Sequence, residues 1–462
     1  MTAAIGNRGA VSSSSPAVPA DPVALARSFD GAAALEIVKT LADPSYQGRH
    51  IGTPGEMKGA EFLASAFAQA GLKPGGDGGS FLQVFPVTVE ELASVPILDL
   101  SNSSGGVRSL HLRDDFRPIY GGTAGAGDVQ APSLFGGMGR DLAGLDVAGK
   151  VLFIIPREPI RDAVSRARDA GAVAVIVPTG ETTLLKGEGR APDSGAIPVF
   201  EVSRAGSAAL LEGSGHTREE LNAALQNNTA LPHFALAWTV HLAASLRPPA
   251  VVQGHNVVGI RPGTSVAGRT VIIGAHYEEI GPDPDGAVYP AANDNASGTA
   301  VLVQLAHLLG RSNAAPDSTI IFAAWSGHEE GLYGSQYYAA HPLLPISATA
   351  LYLNIDTVGQ GAGSNLVAFA SDAATRSLLA GAISRLQMVD SSLPVQATTT
   401  DEGASDHETF DHAGVPTLAL NWSGIIEDGR LHTLADTADT VDPAKLKTTG
   451  QVAALAAVLA SP

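Results

Sequence analysis

Two histidines and four carboxylates stand after apolar runs or at a helix start in the C-terminal half of this 462-residue chain. His276 follows the run 271–275, and Glu329 and Glu330 follow the run 319–325 with its continuation from Ser326 to His328. Asp356 follows 351–355, and His432 comes after 417–420 and a loop. Asp294 lies in the loop AANDNASG, just before a helical stretch. Such a mixture of imidazoles and carboxylates suits two divalent cations about 3.5–4 Å apart, one carboxylate bridging them and each ion taking a further His and carboxylate. That uses two imidazoles and three carboxylates and leaves one carboxylate over. His/carboxylate sites with open positions suit zinc, with cobalt or manganese as substitutes. The ions would lower the pKa of a shared water toward about 7 and polarise a peptide carbonyl. The spare carboxylate would take the proton from that water and pass it to the leaving amine.

Each residue alone has an ordinary explanation. A histidine after a strand more often packs or faces solvent, a Glu-Glu pair is usually a solvated face, and Asp294 beside Asn293 and Asn295 could simply cap a helix. The metal reading rests on their joint occurrence in strand-end order.

The elements that must position them alternate. Apolar runs at 271–275, 319–325, 351–355, 366–370 and 417–420 read as buried strands, with helical stretches at 298–309, 373–386 and 444–459. This predicts an α/β three-layer sandwich with a largely parallel central sheet, whose ligands gather beyond the carboxyl ends of the strands. Upstream, residues 23–72 have helical spacing, with Phe62, Leu63, Phe67 and Leu72, broken by the loop YQGRHIGTP; 81–89 reads as a strand. From about 95 to 215, short strands (96–100, 151–155, 172–177, 197–201) and one helix-like stretch (160–170) form a β-rich module without metal-like spacing. Strands at 234–242 and 255–260 are expected to lead into the C-terminal half. The expected division is a disordered tail at 1–22, a first part of the main domain at 23–90, an insertion at 91–230 and the C-terminal part at 231–462.

Composition excludes several functions. The chain has no cysteine, so thiol nucleophiles, disulfides and cysteine-held metals are ruled out. Its formal charge is -18, from 46 acidic and 28 basic residues, and no Lys/Arg cluster offers itself to phosphates, so nucleic acid is not an expected partner. No apolar run approaches the roughly 20 residues of a membrane-spanning helix. The first 22 residues lack the apolar core of a signal peptide. Oligomeric state has no signature in the sequence.

Taken in order, GAHYEEIG, AANDNASGTA, AAWSGHEEGLYGS, LNIDTVG, SDHETFDHAGVPTLAL and LHTLADTADTVD resemble the co-catalytic zinc aminopeptidase family, whose members include bacterial leucyl aminopeptidase, glutamate carboxypeptidase, carboxypeptidase Q and glutaminyl cyclase. The resemblance covers roughly 22–89 and 234–462. It implies two zinc ions per chain, peptide substrates, and Asp294 as the bridging carboxylate. His276 and Asp356 would complete one zinc site, Glu330 and His432 the other, and Glu329 would be the general base. Asp406 and His407, in GASDHETF, match a motif lining the site and imply substrate or supporting contacts. The stretches DVAGKVLFIIPRE, ARDAGAVAVIVPTG and IPVFEVS resemble a protease-associated domain, which this family often carries as an insertion. Relatives with that insertion are commonly exported, which implies an extracytoplasmic location, although the chain shows no export signal and the cytoplasm stays open.

The sequence departs from the family at one loop. Glu278 stands where an Asp usually orients the first histidine ligand, and Glu279 where many bacterial relatives have His. A carboxylate at 278 retains the option of a hydrogen bond to the ring, with a methylene to accommodate. Two further readings share the metal core. A carboxypeptidase or dipeptidase would need a cation for the substrate's carboxylate, for which Arg430 is the candidate. A receptor-like relative would have lost ligands, and a cyclase would have lost one metal site; here the full set is present.

Overall fold

A computed structural model describes residues 21–179, 192–265, 268–311, 316–398 and 405–461. The expected tail therefore lies outside the described residues except for its end, where Asp21 caps the helix Pro22–Arg27 through its carboxylate, 2.8 Å from the Ala24 N–H.

Six strands carry the main sheet: β1 (Ala250–Arg261), β2 (Thr270–His276), β3 (Thr319–Trp325), β4 (Thr349–Ile355), β5 (Leu366–Ala370) and β6 (Thr417–Trp422). Their spatial order is β1-β3-β2-β4-β6-β5. The four central strands, β3, β2, β4 and β6, are parallel, while β1 and β5 join them antiparallel. The sheet is thus mixed, with the expected parallel character confined to its centre. Leu82–Val89 adds to β1 antiparallel, and Val395–Thr398 adds to β5 parallel.

The central strands are apolar on both faces because helices cover both. All seven residues of β2 are buried. Val271, Ile273 and Ala275 enter the core shared with the helices Gly31–Leu41, Pro54–Gln69, Gly298–Gly310, Ala373–Gln387 and Pro443–Leu459. Ile272 points the other way, with Ile321, Trp325 and Tyr352, onto the helices Tyr333–Ala340 and His407–His412. This two-residue alternation is what a strand between two helical layers requires.

Two features aim the sheet at one crevice. From β2 the chain crosses to β3 on one side and then to β4 on the other, so the strand order reverses at β2 and a cleft opens beyond its carboxyl end. The helix Gly298–Gly310 begins hard against β4: a side chain at Gly298 would put its Cβ 2.3 Å from the Ile355 carbonyl oxygen. Glycine at this position therefore lets the loop bearing Asp294 approach the end of β4, where Asp356 follows.

A second sheet lies between Val89 and Ala250. Its order is Val107–Ser109, Ile97–Ser101, Phe234–Ala244, Gly127–Phe135, Val151–Phe153, Ala174–Pro178, Pro192–Val202, Phe116–Ile119. Separate apolar cores lie about it, one around Phe135, Phe153 and Phe200 and one around Leu152, Val164 and Val175. The helix Ile160–Asp169 falls where the sequence predicts one. Phe234–Ala244 differs from expectation: it pairs with Ile97–Ser101 and Gly127–Phe135 and so completes the second sheet rather than leading the C-terminal half. Its alternating apolar pattern suits either sheet, and pattern alone does not choose a partner.

Candidate metal centre

His276 is the last residue of β2 and is buried. Its Nδ1 lies 3.0 Å from the main-chain oxygen of Glu278. A carbonyl can only accept, so Nδ1 carries a proton and donates it there, while Nε2 faces the crevice. There it lies 3.3 Å from Asp294 Oδ1 and 3.3 Å from Asp356 Oδ1. The other oxygen of Asp294 is 3.2 Å from Nε2 of His432, which reaches in from a loop where its own φ is +52°. Asp294 thus stands between the two imidazoles, one oxygen toward each.

The adjacent glutamates take places other than those expected. Glu329 Oε1 lies 3.3 Å from His432 Nε2, in a cluster with Asp294 and Glu279, whose Oε1 is 3.5 Å from the same nitrogen. Glu330 faces away from His432 and sits 3.3 Å from His50 Nδ1, near Glu278. Glu329 thus lies at the carboxylate position beside His432 that the sequence reading gave to Glu330. The cause is local. β3 ends at Trp325, Gly327 turns the chain with φ +67°, and successive residues beyond the turn point to different sides.

Glu278 was expected to face the His276 ring. Its side chain does not orient His276, because its own main-chain oxygen does; the carboxylate Oε2 accepts instead from the His328 N–H at 2.7 Å. The extra methylene is accommodated by redirecting the side chain rather than by moving the ring.

His328, absent from the expected set, enters the site. Its Nδ1 lies 3.0 Å from Asp406 Oδ2, and its ring is stacked on His276 with centroids 3.6 Å apart and planes 9° from parallel. Lone pairs of stacked imidazoles lie in parallel planes. An ion in the plane of His276 is therefore well outside the plane of His328, and the two rings do not share one. Burial and the neighbouring His276 push the His328 pKa down, but Asp406 and Glu329 outweigh them and it lies above the ordinary value. Asp406 is fully buried and supports His328. His407 is buried at the start of its helix, beside Phe369, and faces the cavity.

The donor set fits metal ions on two observations. A tetrahedral ion with bonds of about 2.0–2.1 Å has ligand atoms roughly 3.3–3.4 Å apart, and the nitrogen–oxygen distances around Asp294 are 3.2 and 3.3 Å. The mutual shifts say the same. Burial alone would raise Asp294, yet His276 and His432 hold it far below the usual carboxylate range. Burial would lower His276, but Asp356 and Asp294 hold it well above its usual value; for His432, Glu329, Asp294 and Glu279 do so. Burial pushes Glu279 well up. The concentration of carboxylate charge in a dry crevice calls for cations.

Further hydrogen bonds hold the crevice side chains and loops in place. Ser405 Oγ donates to Asp356 Oδ2 at 2.7 Å. Asp436, four residues after His432, accepts from the N–H groups of Asn293 and Asp294 and from Gln360; burial pushes its pKa up to about 7. Arg49 is wholly buried and donates to the carbonyls of Leu41, Tyr277, Pro290 and Ala291, tying the N-terminal segment to the loop after β2 and to the stretch before Asp294. Arg49 and His50 sit in the loop YQGRHIGTP, where nothing in the sequence distinguishes them from turn residues.

A cavity of about 540 Å³ opens on Asp294, His328, Glu329, Asp356 and His432. Its far wall is apolar, with Phe369, Trp422, Ile425 and Ile426. Among the described residues no Lys or Arg lines it; Arg430 is instead paired with Asp428, 3.0 Å away. The second sheet reaches the loop that follows β2. Arg113 bonds Asp283 at 2.8 Å and Asp285 at 2.5 Å, and Arg117 bonds Asp283 at 3.0 Å and also the Tyr289 hydroxyl.

Residues 256–457 match the family described as Peptidase family M28. A protein of Leptosphaeria maculans named Probable zinc metalloprotease is 39% identical over 121 residues, 25% of this chain and 27% of that protein. The chain thus matches about a quarter of the length of this and two further fungal relatives. The Probable lipoprotein aminopeptidase LpqL of Mycobacterium tuberculosis is 25% identical across 90% of this chain and 81% of its own length. Among solved structures, the aminopeptidase from Aneurinibacillus sp. strain AM-1 has the same fold, with a TM-score of 0.65 at 23% identity over 94% of each chain.

Proposed function

We propose, for a chain whose residues 256–457 belong to peptidase family M28, that it is a zinc-dependent aminopeptidase working with two metal ions. His276, Asp294 and Asp356 would hold one ion, and Asp294, Glu329 and His432 the other. The observation that carries this reading is the position of Asp294, 3.3 Å from one imidazole and 3.2 Å from the other. Cobalt or manganese could substitute for zinc in such a donor set.

When bound, the metals would supply Lewis acidity, polarising the scissile carbonyl and making water nucleophilic near neutral pH. The chain's own residues handle the proton. Asp406 fixes the Nδ1 proton of His328, which leaves Nε2 of that ring as the base. Nε2 would take a proton from the attacking water and return it to the leaving amine. This role replaces the one expected of Glu329, which the second ion would need.

The polarity of cleavage is read from the cavity. A lining that includes Asp294, Glu329, Asp356 and Glu427 but no described Lys or Arg supports a free amine at the substrate's near end and offers nothing to a terminal carboxylate. The carboxypeptidase reading loses its cation, since Arg430 is engaged by Asp428. The apolar wall supports substrates with apolar N-terminal side chains. We read the second sheet as a protease-associated domain that borders the cleft through Arg113 and Arg117. An extracytoplasmic location is supported by the likeness to a lipoprotein aminopeptidase; no helix among the described residues is long and apolar enough to cross a membrane.

The test compares leucyl-p-nitroanilide with its N-acetylated form in the presence of zinc. Hydrolysis of the free amine alone is expected. Release of C-terminal residues from N-acetylated peptides at a comparable rate would overturn the aminopeptidase reading.

A further inference from the structure

Three groups remain that the two-ion site does not use: His50, Glu278 and Glu330. Each offers a donor atom, and these atoms all lie within 4.8 Å of one another. They come from three separate segments: the N-terminal loop, the loop after β2 and the turn after β3.

Glu330 differs from the other buried carboxylates among the described residues in that both of its oxygens lack a hydrogen bond, where none of the others lacks more than one. Both oxygens of Glu330 and Oε1 of Glu278 are screened from solvent and make no well-aligned hydrogen bond among the described residues, although His50 Nδ1 and Glu330 Oε1 stand 3.3 Å apart. Glu278 is fully buried, and the Glu330 side chain is 8% exposed. The remaining oxygen of Glu278 is held by the His328 N–H, so Oε1 is fixed in direction.

His50 completes the pattern. Its Nε2 lies 3.4 Å from Glu91 Oε1, and Glu91 is itself held by Arg247 at 2.9 Å. Its Nδ1 lies 3.3 Å from Glu330 Oε1 and 3.3 Å from the main-chain oxygen of Glu279. Both ring nitrogens face acceptors, but a neutral imidazole has only one N–H. With that proton toward Glu91, the Nδ1 side must hold a second proton or a cation. A proton there satisfies one neighbouring oxygen. A divalent ion satisfies the imidazole and both carboxylates together. A histidine whose outer nitrogen is held by a carboxylate is also the usual arrangement around a metal.

We propose that His50 Nδ1, Glu278 Oε1 and Glu330 form a third metal site, taking zinc or manganese through one nitrogen and carboxylate oxygens. The Glu279 carbonyl oxygen is placed as a further ligand. The ion would bind the N-terminal loop to the loops that carry His276 and Glu329. None of the three side chains belongs to the two-ion set, so the site stands apart from that reading.

The experiment is equilibrium dialysis of the full chain against buffered micromolar zinc, with metal counted by mass spectrometry. Wild type is expected to hold three ions, and Glu330→Gln and His50→Gln one fewer each. Glu329→Gln should lose a different ion, so a failed two-ion reading and a failed third site give different patterns. Equal counts for wild type and Glu330→Gln would overturn the proposal in favour of an imidazolium and a shared carboxyl proton. Should either variant fail to fold, wild type alone decides. A manganese titration followed by electron paramagnetic resonance must show a third equivalent bound, and saturation at two would refute the site.

Discussion

Asp406 holds Nδ1 of His328 at 3.0 Å while the ring lies flat on His276. The pair borders the crevice where Asp294, Glu329 and His432 meet. His328→Gln is therefore expected to lower kcat by about 10²–10⁴-fold while metal content stays at the wild-type level. Asp406→Asn should move the acidic limb of the kcat profile to lower pH. Asp406 is one of the groups raising the His328 pKa, so without its charge the ring stays unprotonated further into acid. A limb that moves to higher pH, or does not move, would remove His328 from proton transfer.

Glu329 and Glu330 differ only in which way the turn after β3 points them. Glu329→Gln is expected to lose the ion at His432 and most turnover with it, because a neutral amide replaces a charged oxygen 3.3 Å from that nitrogen. Metal analysis beside a turnover assay checks this. Full metal content with no turnover would return Glu329 to the role of base.

Ser405 is not among the proposed ligands, yet it holds Asp356 by a 2.7 Å hydrogen bond. Ser405→Ala should weaken binding at the His276 site by about 10–100-fold, the usual range for outer partners of metal ligands. Competition with a calibrated chelator measures it. An unchanged affinity would mean that packing alone holds Asp356.

Arg113 and Arg117 join the second sheet to the loop after β2 through Asp283 and Asp285. Hydrogen bonding from Arg113 holds the Asp285 carboxyl below its ordinary value. A depressed carboxylate pKa contributes stability above the unfolded value of about 3.9 and loses it as pH falls through the folded one. Arg113→Met should accordingly lower Tm at pH 7, and the two melting curves should converge toward pH 3. Parallel curves over that range would show that the ion pair contributes nothing.

The apolar wall of the cavity gives a prediction about preference. Phe369→Ala should reduce kcat/KM for leucyl relative to alanyl substrates by about tenfold, since one or two methylenes' worth of contact is about 1–3 kcal/mol. An unaltered ratio would place the side-chain pocket elsewhere.

The convergence of His276, Asp294, Asp356 and His432, the proposed ligands, was legible because each follows an apolar run or opens a helix, and an α/β sheet delivers such positions to one edge. Glu329 and Glu330 were legible as a pair and not as individuals. Which of two neighbours faces a given point depends on the turn at Gly327, and a dihedral angle leaves no mark on residue types. His276 was expected to lean on the Glu278 side chain and leans on its backbone, an option open to any residue at that position. His50 and Arg49 lie more than 200 residues before the strands they support, and only the tertiary fold brings them there. Asp436 carried a faint signal, as the first of three aspartates in the motif of His432.

Val89 and Ala250 are direct partners across the antiparallel ladder, and Leu92 bridges Leu246 just beyond them. The roughly 160 residues between them leave and rejoin the main sheet through a gap the width of a hairpin. Were that stretch a loose chain, closing it would cost about 3 kcal/mol more than closing a tight turn. Folded, it arrives with its ends already together and removes that entropy. The second sheet is in this sense a pre-closed hinge pin for the first. A lesion in its cores, far from any metal ligand, would be felt as fraying between Leu82–Val89 and β1, next to the loop that holds Arg49 and His50.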